Sequence, residues 1–204
     1  MLLIGLTGSI GMGKSTVAAR LRALGIPVCD ADAEVHKLYE GAAVAPIEAA
    51  FPGTTTNGKV DRQKLAAALL QKPGEFPRLE AIVHPLVVAA ERARLREAAA
   101  KGADMAVLEV PLLLETGGEA RVDVVIVVSA PPDAQRERVL ARPGMTPEKL
   151  AQLLSKQMSD AEKRARADFI VDTGGTFADT DAQVDTIIDS LKGRQGKAFA
   201  KSWA

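Results

Sequence analysis

The chain has a single cysteine, a single tryptophan and a single tyrosine, and aromatic residues occupy only 3% of its 204 positions. One thiol, Cys29, excludes an intrachain disulfide framework and any zinc site built on several cysteines. A reducing cytoplasm fits that usage. With so few rings, Leu, Val, Ile and Ala must fill the core, and an apolar content of 47% is enough for a sizeable one. Charge of either sign is not in excess, since 26 Lys and Arg face 26 Asp and Glu. No basic field therefore points to nucleic acid as a partner. No apolar run approaches the roughly 18 residues that a spanning helix requires, so no membrane partner is expected. Met1–Leu6 is apolar but lacks the basic flank of a signal peptide and runs directly into glycines.

What is present is an alternation of short apolar runs with helical patterns, the signature of an α/β protein with a parallel sheet flanked by helices. Leu2–Leu6, Pro27–Asp30, Met105–Val110, Val122–Val128 and Phe169–Asp172 read as five strands. Ser15–Leu24 reads as a helix that Gly25 ends, and Ala178–Leu191 as the closing helix. The stretch between the second and third strands is too long for a simple crossover and shows no strand pattern. It reads as helical, with Asp61–Gln71 capped by Asp61 and Phe76–Ala100 interrupted at His84–Pro85. The organisation expected is a core of residues 1–30, 103–130 and 167–192, a helical insertion over 31–102, a helical lid over 131–166, and a frayed tail over 193–204.

The first strand runs into Gly8-Ser9-Ile10-Gly11-Met12-Gly13-Lys14-Ser15, a complete G-x-x-x-x-G-K-[ST] motif. Between a buried strand and a helix, such a loop turns its backbone N–H groups toward phosphate oxygens, and the helix start adds a positive dipole end. Gly8, Gly11, Met12, Gly13, Lys14, Ser15 and Thr16 are therefore candidate residues for binding the phosphates of a nucleoside triphosphate. Lys14 should reach the β- and γ-phosphates, and the Ser15 hydroxyl should ligate Mg²⁺. A GTPase would need N-K-x-D, which is missing, and Asp172-Thr173-Gly174-Gly175 comes too late for a switch loop. A small-molecule kinase is the class that remains.

Asp30-Ala31-Asp32 ends the second strand, whose C-terminal end faces the γ-phosphate region in such folds. Asp32 is the candidate general base. Asp30 is either a functional carboxylate or the cap of the helix that follows. His84, at a break before Pro85, is a candidate acceptor contact. Glu109 ends the third strand, a place for a carboxylate near Mg²⁺. In Pro111-Leu112-Leu113-Leu114-Glu115 the leucines are either plain core or an apolar wall for the acceptor. Gln135, Arg138 and Arg142 share one helical face at i, i+3 and i+7, which suits a charge clamp on the transferring phosphoryl group. The Lys163-Arg164-Ala165-Arg166 run reads as solvated surface or a phosphate-side support.

These residues taken together resemble the dephospho-coenzyme A kinase family from end to end. Ile4–Thr16, Asp30-Ala31-Asp32, His84-Pro85, Pro111–Glu115, Gln135 with Arg138 and Arg142, and Ala167–Asp172 carry the resemblance, and the elements beyond the P-loop are the more specific ones. The resemblance implies a three-layer P-loop kinase fold with an acceptor-binding insertion and a lid. It implies transfer of the γ-phosphate of ATP, with Mg²⁺, to the ribose 3′-hydroxyl of dephospho-coenzyme A. Asp32 is then the base, Lys14 with Arg138 and Arg142 serves catalysis, Gln135 contacts ATP, and Asp30, His84, Leu113 and Glu115 meet the acceptor. The partners implied are these two small molecules, for a monomer or weak homo-oligomer. Two departures stand out, since many members have Asp at Glu109 and Arg at Leu153. A nucleoside or nucleotide kinase of the same fold is the alternative, and a nucleotide-dependent switch without useful turnover is a more distant one.

Overall fold

Every residue of β1 (Leu2–Thr7) is buried, as is every residue of β6 (Val124–Ser129), which explains their uninterrupted apolar character. In the computed structural model, which describes residues 1–204 apart from the side chain of Pro73, these strands lie inside a five-stranded sheet. Its order is β2 (Val28–Asp30), β5 (Met105–Glu109), β1, β6, β7 (Phe169–Asp172), with β1 at the centre. β1 runs parallel to β5 and to β6, and Leu6 stands opposite both Glu109 and Ile126. This register brings out the C-terminal ends of the three central strands together. The P-loop, Glu109 and Ser129 therefore share one edge of the sheet.

The chain divides into two compact units, residues 1–29 with 95–204 and residues 30–94. In the first, α1 (Lys14–Ala23) and α9 (Phe177–Leu191) lay Val17, Ala18, Leu21, Val184, Ile187 and Ile188 on a sheet face made by Leu2, Ile4, Leu6, Ile126 and Val128. Arg20 on α1 donates to Asp185 on α9 at 2.8 Å and holds that carboxyl below its ordinary range. A second cluster groups Leu113, Leu114, Val125 and Val127. The lid segment folds as α6 (Pro132–Leu140), α7 (Pro147–Leu154) and α8 (Asp160–Ala165) within this same unit. Helix α8 is not among the expected elements, although Ser159-Asp160-Ala161-Glu162 spells a capping box and forms one.

The second unit contains α2 (Ala31–Tyr39), α3 (Val44–Ala50), β3 (Thr55–Thr56), β4 (Lys59–Val60), α4 (Arg62–Gln71) and most of α5 (Phe76–Ala100). Ala43, Ile47, Phe51, Val60, Leu65 and Leu69 form its core. The unexpected β3–β4 hairpin turns at Asn57-Gly58, both at positive φ, the pairing that two-residue hairpin turns favour. The expected break at His84–Pro85 does not occur. Helix α5 runs unbroken for 25 residues with Pro85 inside it. Leu79, Ile82, Val83 and Leu86 pack on the unit's core, and that packing outweighs the one backbone hydrogen bond a proline removes. The last turns of α5 belong to the first unit, so the insertion ends at Arg94 rather than at residue 102.

The tail is also a correction. Residues Ala198–Ser202 form α10, and Trp203 is buried with 1% of its surface exposed. Its indole Nε1 donates to the Arg121 carbonyl at 2.9 Å, with the Arg121 guanidinium 5.1 Å from the ring centroid. Asp123 accepts from the backbone N–H groups of Lys197 and Ala198 at 2.7 and 2.9 Å. A lone tryptophan with a carboxylate to satisfy the adjoining backbone is enough to dock a short basic segment. Trp203→Ala is expected to cost about 3–5 kcal/mol of unfolding free energy, read from urea denaturation. An unchanged midpoint would contradict the docking.

Candidate active site

Thr7 ends β1 with its hydroxyl donating to the Pro111 carbonyl at 3.0 Å, and the loop begins at Gly8. A Cβ on Gly8 would lie 2.6 Å from the Val128 carbonyl, so only glycine lets the loop leave the sheet there. Gly13, at φ 86°, is the N-cap of α1 and supplies no side-chain cap, and the first turn of α1 has no acidic residue. The leading N–H groups of that helix have no intrahelical acceptor. An anion is the group that a glycine-capped, acid-free helix start accommodates, through those donors and the dipole together. Met12 anchors the loop from below, with its buried thioether accepting from the Ala130 N–H at 3.2 Å.

Lys14 lies at this helix start with Nζ 2.7 Å from Glu109 Oε1. Arg22 reaches the other carboxylate oxygen at 3.2 Å. Glu109 is buried at the end of β5, so the two cations compensate a charge that would otherwise be costly there. The sequence suggests a metal contact for Glu109; in the structure its carboxylate pairs with Lys14 and Arg22. Ser15 and Thr16 follow in the first turn, Ser15 exposed. Among the described residues no group of three or more His, Cys, Asp or Glu could hold a metal ion. A nucleotide-bound Mg²⁺ needs no such cage, because phosphate oxygens and water supply most of its ligands.

Gln135 and Arg138 share a face of α6, as their spacing predicts, and both are turned to the P-loop's supports. Gln135 Nε2 donates to the Ile10 carbonyl at 2.8 Å. Arg138 donates to Thr173 twice, to Oγ1 at 2.9 Å and to the carbonyl at 2.6 Å. The Thr173 hydroxyl in turn donates to the Met12 carbonyl at 2.8 Å. From the turn before α8, Gln157 Oε1 accepts from the Ile10 N–H at 3.2 Å. Arg142 lies just past α6 and is exposed. Sequence reasoning does not single out Gln157 and Thr173 as contacts of the loop. Thr173 sits in the D-x-x-G stretch that comes too late for a switch loop, and no local signal marks it as touching the loop 161 positions away.

The Pro111–Glu115 segment is held by internal contacts. Leu113 is 1% exposed and packs with Leu114, Val125 and Val127. Glu115 Oε1 accepts from Lys163 Nζ at 2.8 Å and from the Met158 N–H at 2.9 Å. Lys163, expected at the surface, is fully buried and also donates to the Pro111 carbonyl at 3.2 Å. A buried ammonium must find such partners. Lys163→Met should therefore destabilise the fold by about 3–5 kcal/mol by leaving Glu115 unpaired, and adding Glu115→Leu should restore most of it. Thermal unfolding of the two variants checks this; a double variant no more stable than the single one would contradict it.

In the second unit, Asp30 accepts from the Ala33 N–H at 3.0 Å and is the N-cap of α2. Of the two roles open to it, capping is the one observed. Asp32 stands two residues beyond the end of β2, exposed in the first turn of α2. His84 is exposed on the continuous α5.

A parallel sheet with a phosphate loop after its central strand, a lysine at the helix start and a helical lid defines a P-loop kinase of small molecules. The family model for dephospho-CoA kinase matches residues 2–179, and the chain belongs to that family. It is 55% identical to a dephospho-CoA kinase of Mesorhizobium japonicum over 196 residues, covering 96% of this chain and all of that one. A Thermus thermophilus crystal structure superposes with a TM-score of 0.80 at 35% identity, over 94% of this chain and 98% of that one. The dephospho-CoA kinase from Campylobacter jejuni superposes at 0.71 with 26% identity, over 95% and 98%.

Proposed function

We propose that the protein transfers the γ-phosphate of ATP to the ribose 3′-hydroxyl of dephospho-coenzyme A, giving coenzyme A and ADP, the last step of coenzyme A synthesis. The observation that carries this reading is the acid-free, glycine-capped start of α1 with Lys14 beside it, in a chain of the dephospho-CoA kinase family. In the reaction the acceptor oxygen forms a bond to the γ-phosphorus as the bond to the ADP oxygen breaks, in line. The hydroxyl proton passes to a carboxylate oxygen of Asp32. Lys14 exchanges Glu109 for the β- and γ-phosphate oxygens, and Glu109 keeps Arg22 as its partner. The Ser15 hydroxyl would hold Mg²⁺, which would supply charge neutralisation on the phosphates. Arg142 supplies a lid cation to the transferring group. Arg138 acts on the loop through Thr173.

The setting proposed is the cytoplasm, for a monomer or weak homo-oligomer; no helix among the described residues is long and apolar enough to cross a membrane. The test is purified protein with Mg-ATP and a panel of acceptors. ADP release with dephospho-coenzyme A and not with nucleosides or nucleotides supports the proposal. Release with a nucleoside instead would transfer the reading to a nucleoside kinase, and no acceptor-dependent release would sink both.

A further inference from the structure

Two of the P-loop's carbonyls are held from outside by side chains that lie beyond the motif. The Ile10 carbonyl accepts from Gln135, and the Met12 carbonyl accepts from Thr173. Each carbonyl precedes a glycine. A trans peptide unit is planar, with its C=O and its N–H pointing in opposite directions. Holding the Ile10 carbonyl toward α6 therefore aims the Gly11 N–H away from α6. Holding the Met12 carbonyl toward Thr173 aims the Gly13 N–H away from Thr173. Both glycines are at positive φ, at 79° and 86°, where the backbone has alternatives that a side chain would forbid. Freedom of this kind blurs the aim of an N–H unless something outside restrains it.

The restraints are close. A Cβ on Gly11 would lie 2.5 Å from Val139 Cγ2 and 3.0 Å from the Gln135 carbonyl, and one on Gly13 would lie 3.0 Å from Thr173 Oγ1. Thr173 is itself fixed, because its N–H donates to the Ser129 carbonyl at 2.9 Å and Arg138 holds both its hydroxyl and its carbonyl. Gln135 is buried. Gln135 and Arg138 are one turn apart on α6, so one helix face restrains both glycine peptides, the first directly and the second through Thr173.

We infer that Thr173 and Gln135 are positioning residues that aim the Gly13 and Gly11 N–H groups at the triphosphate. The consequence rests on the proposed use of ATP and not on which acceptor receives the phosphate. Neither residue touches the phosphates in this role. Each keeps one of the two donors aimed before the nucleotide arrives, so that binding does not have to order them. The same arrangement places α6 of the lid in direct mechanical contact with the loop, and gives Arg138 a holding task where Arg142 has a charge to offer.

The test separates positioning from folding. Thr173→Val keeps the shape and deletes the hydroxyl; Thr173→Ser keeps the hydroxyl. Gln135→Met deletes the amide donor at similar length. ATP affinity is measured by isothermal titration without any acceptor, alongside the melting temperature and the KM values for both substrates. Thr173→Val and Gln135→Met should each weaken ATP binding by roughly five- to twentyfold, the scale of one lost hydrogen bond. Thr173→Ser should return to within about twofold of the parent. The acceptor KM should stay within about twofold. Unaltered ATP affinity in Thr173→Val and Gln135→Met would overturn the inference, as would failure of Thr173→Ser to rescue, or a rise in acceptor KM matching that for ATP. If a variant melts early, its affinity is read well below its melting point, where a merely structural role predicts parental binding. Because titration uses ATP alone, an error in the acceptor assignment appears only in the turnover assay and leaves this result standing.

Discussion

Asp32→Asn is expected to lower turnover by about 10²-fold or more while ATP binding survives. Asparagine matches aspartate in size and can still hydrogen-bond a ribose hydroxyl, but it cannot take that hydroxyl's proton. The loss should therefore fall on kcat and not on the KM for ATP. The structure removes one ambiguity from the experiment. Asp30 is the side chain that caps α2, accepting from Ala33, whereas Asp32 is exposed in the first turn. The substitution should leave the melting temperature almost where it was. Asp30→Asn is the useful companion, since asparagine also caps well and should leave turnover near the parent value. Near-parental turnover in Asp32→Asn would remove Asp32 from the base role.

Lys14→Ala has the second large effect, a loss of roughly 10²- to 10³-fold in kcat, the scale of removing one group that stabilises transition-state charge. It disturbs the fold as well, because Glu109 loses its 2.7 Å partner at the buried end of β5 and keeps only Arg22. Stability and catalysis are separable here. Lys14→Met combined with Glu109→Gln removes both charges and should recover much of the unfolding free energy without recovering turnover. Recovery of turnover in the double variant would show that Lys14 served Glu109 and not the phosphates. Glu109 reaches both Lys14 and Arg22, one with each carboxylate oxygen.

Much of the fold is legible because parallel strands buried on both faces must be apolar throughout. Leu2–Thr7, Met105–Glu109 and Val124–Ser129 stand within a residue or two of where their composition places them. The misses have equally physical causes. Pro85 punctuates a helix only where packing does not hold it, and its neighbours Ile82, Val83 and Leu86 do hold it. Asn57-Gly58 signals a hairpin, but strands of two residues on either side have no period to recognise. Lys163 looks like a surface charge because nothing local records that Glu115 is its partner across the fold. Trp203 lies in a sequence of small and basic residues, and only the Arg121 carbonyl and Asp123 turn it into an anchor.

The sequence by itself determined the sheet, the phosphate loop and, through motifs in a particular order, the family. Those features are local or repetitive, and local chemistry such as a glycine's tolerance of positive φ or a strand's burial is written in adjacent residues. The tertiary structure alone decided what each charged and polar side chain holds. It turned Glu109 to Lys14, Glu115 to Lys163, and Arg138 to Thr173. Such pairings join residues far apart in the chain, and a buried charge takes whichever partner the packing brings within reach. The P-loop is readable at once, but the side chains that keep its peptides aimed are not, because they meet it only in three dimensions.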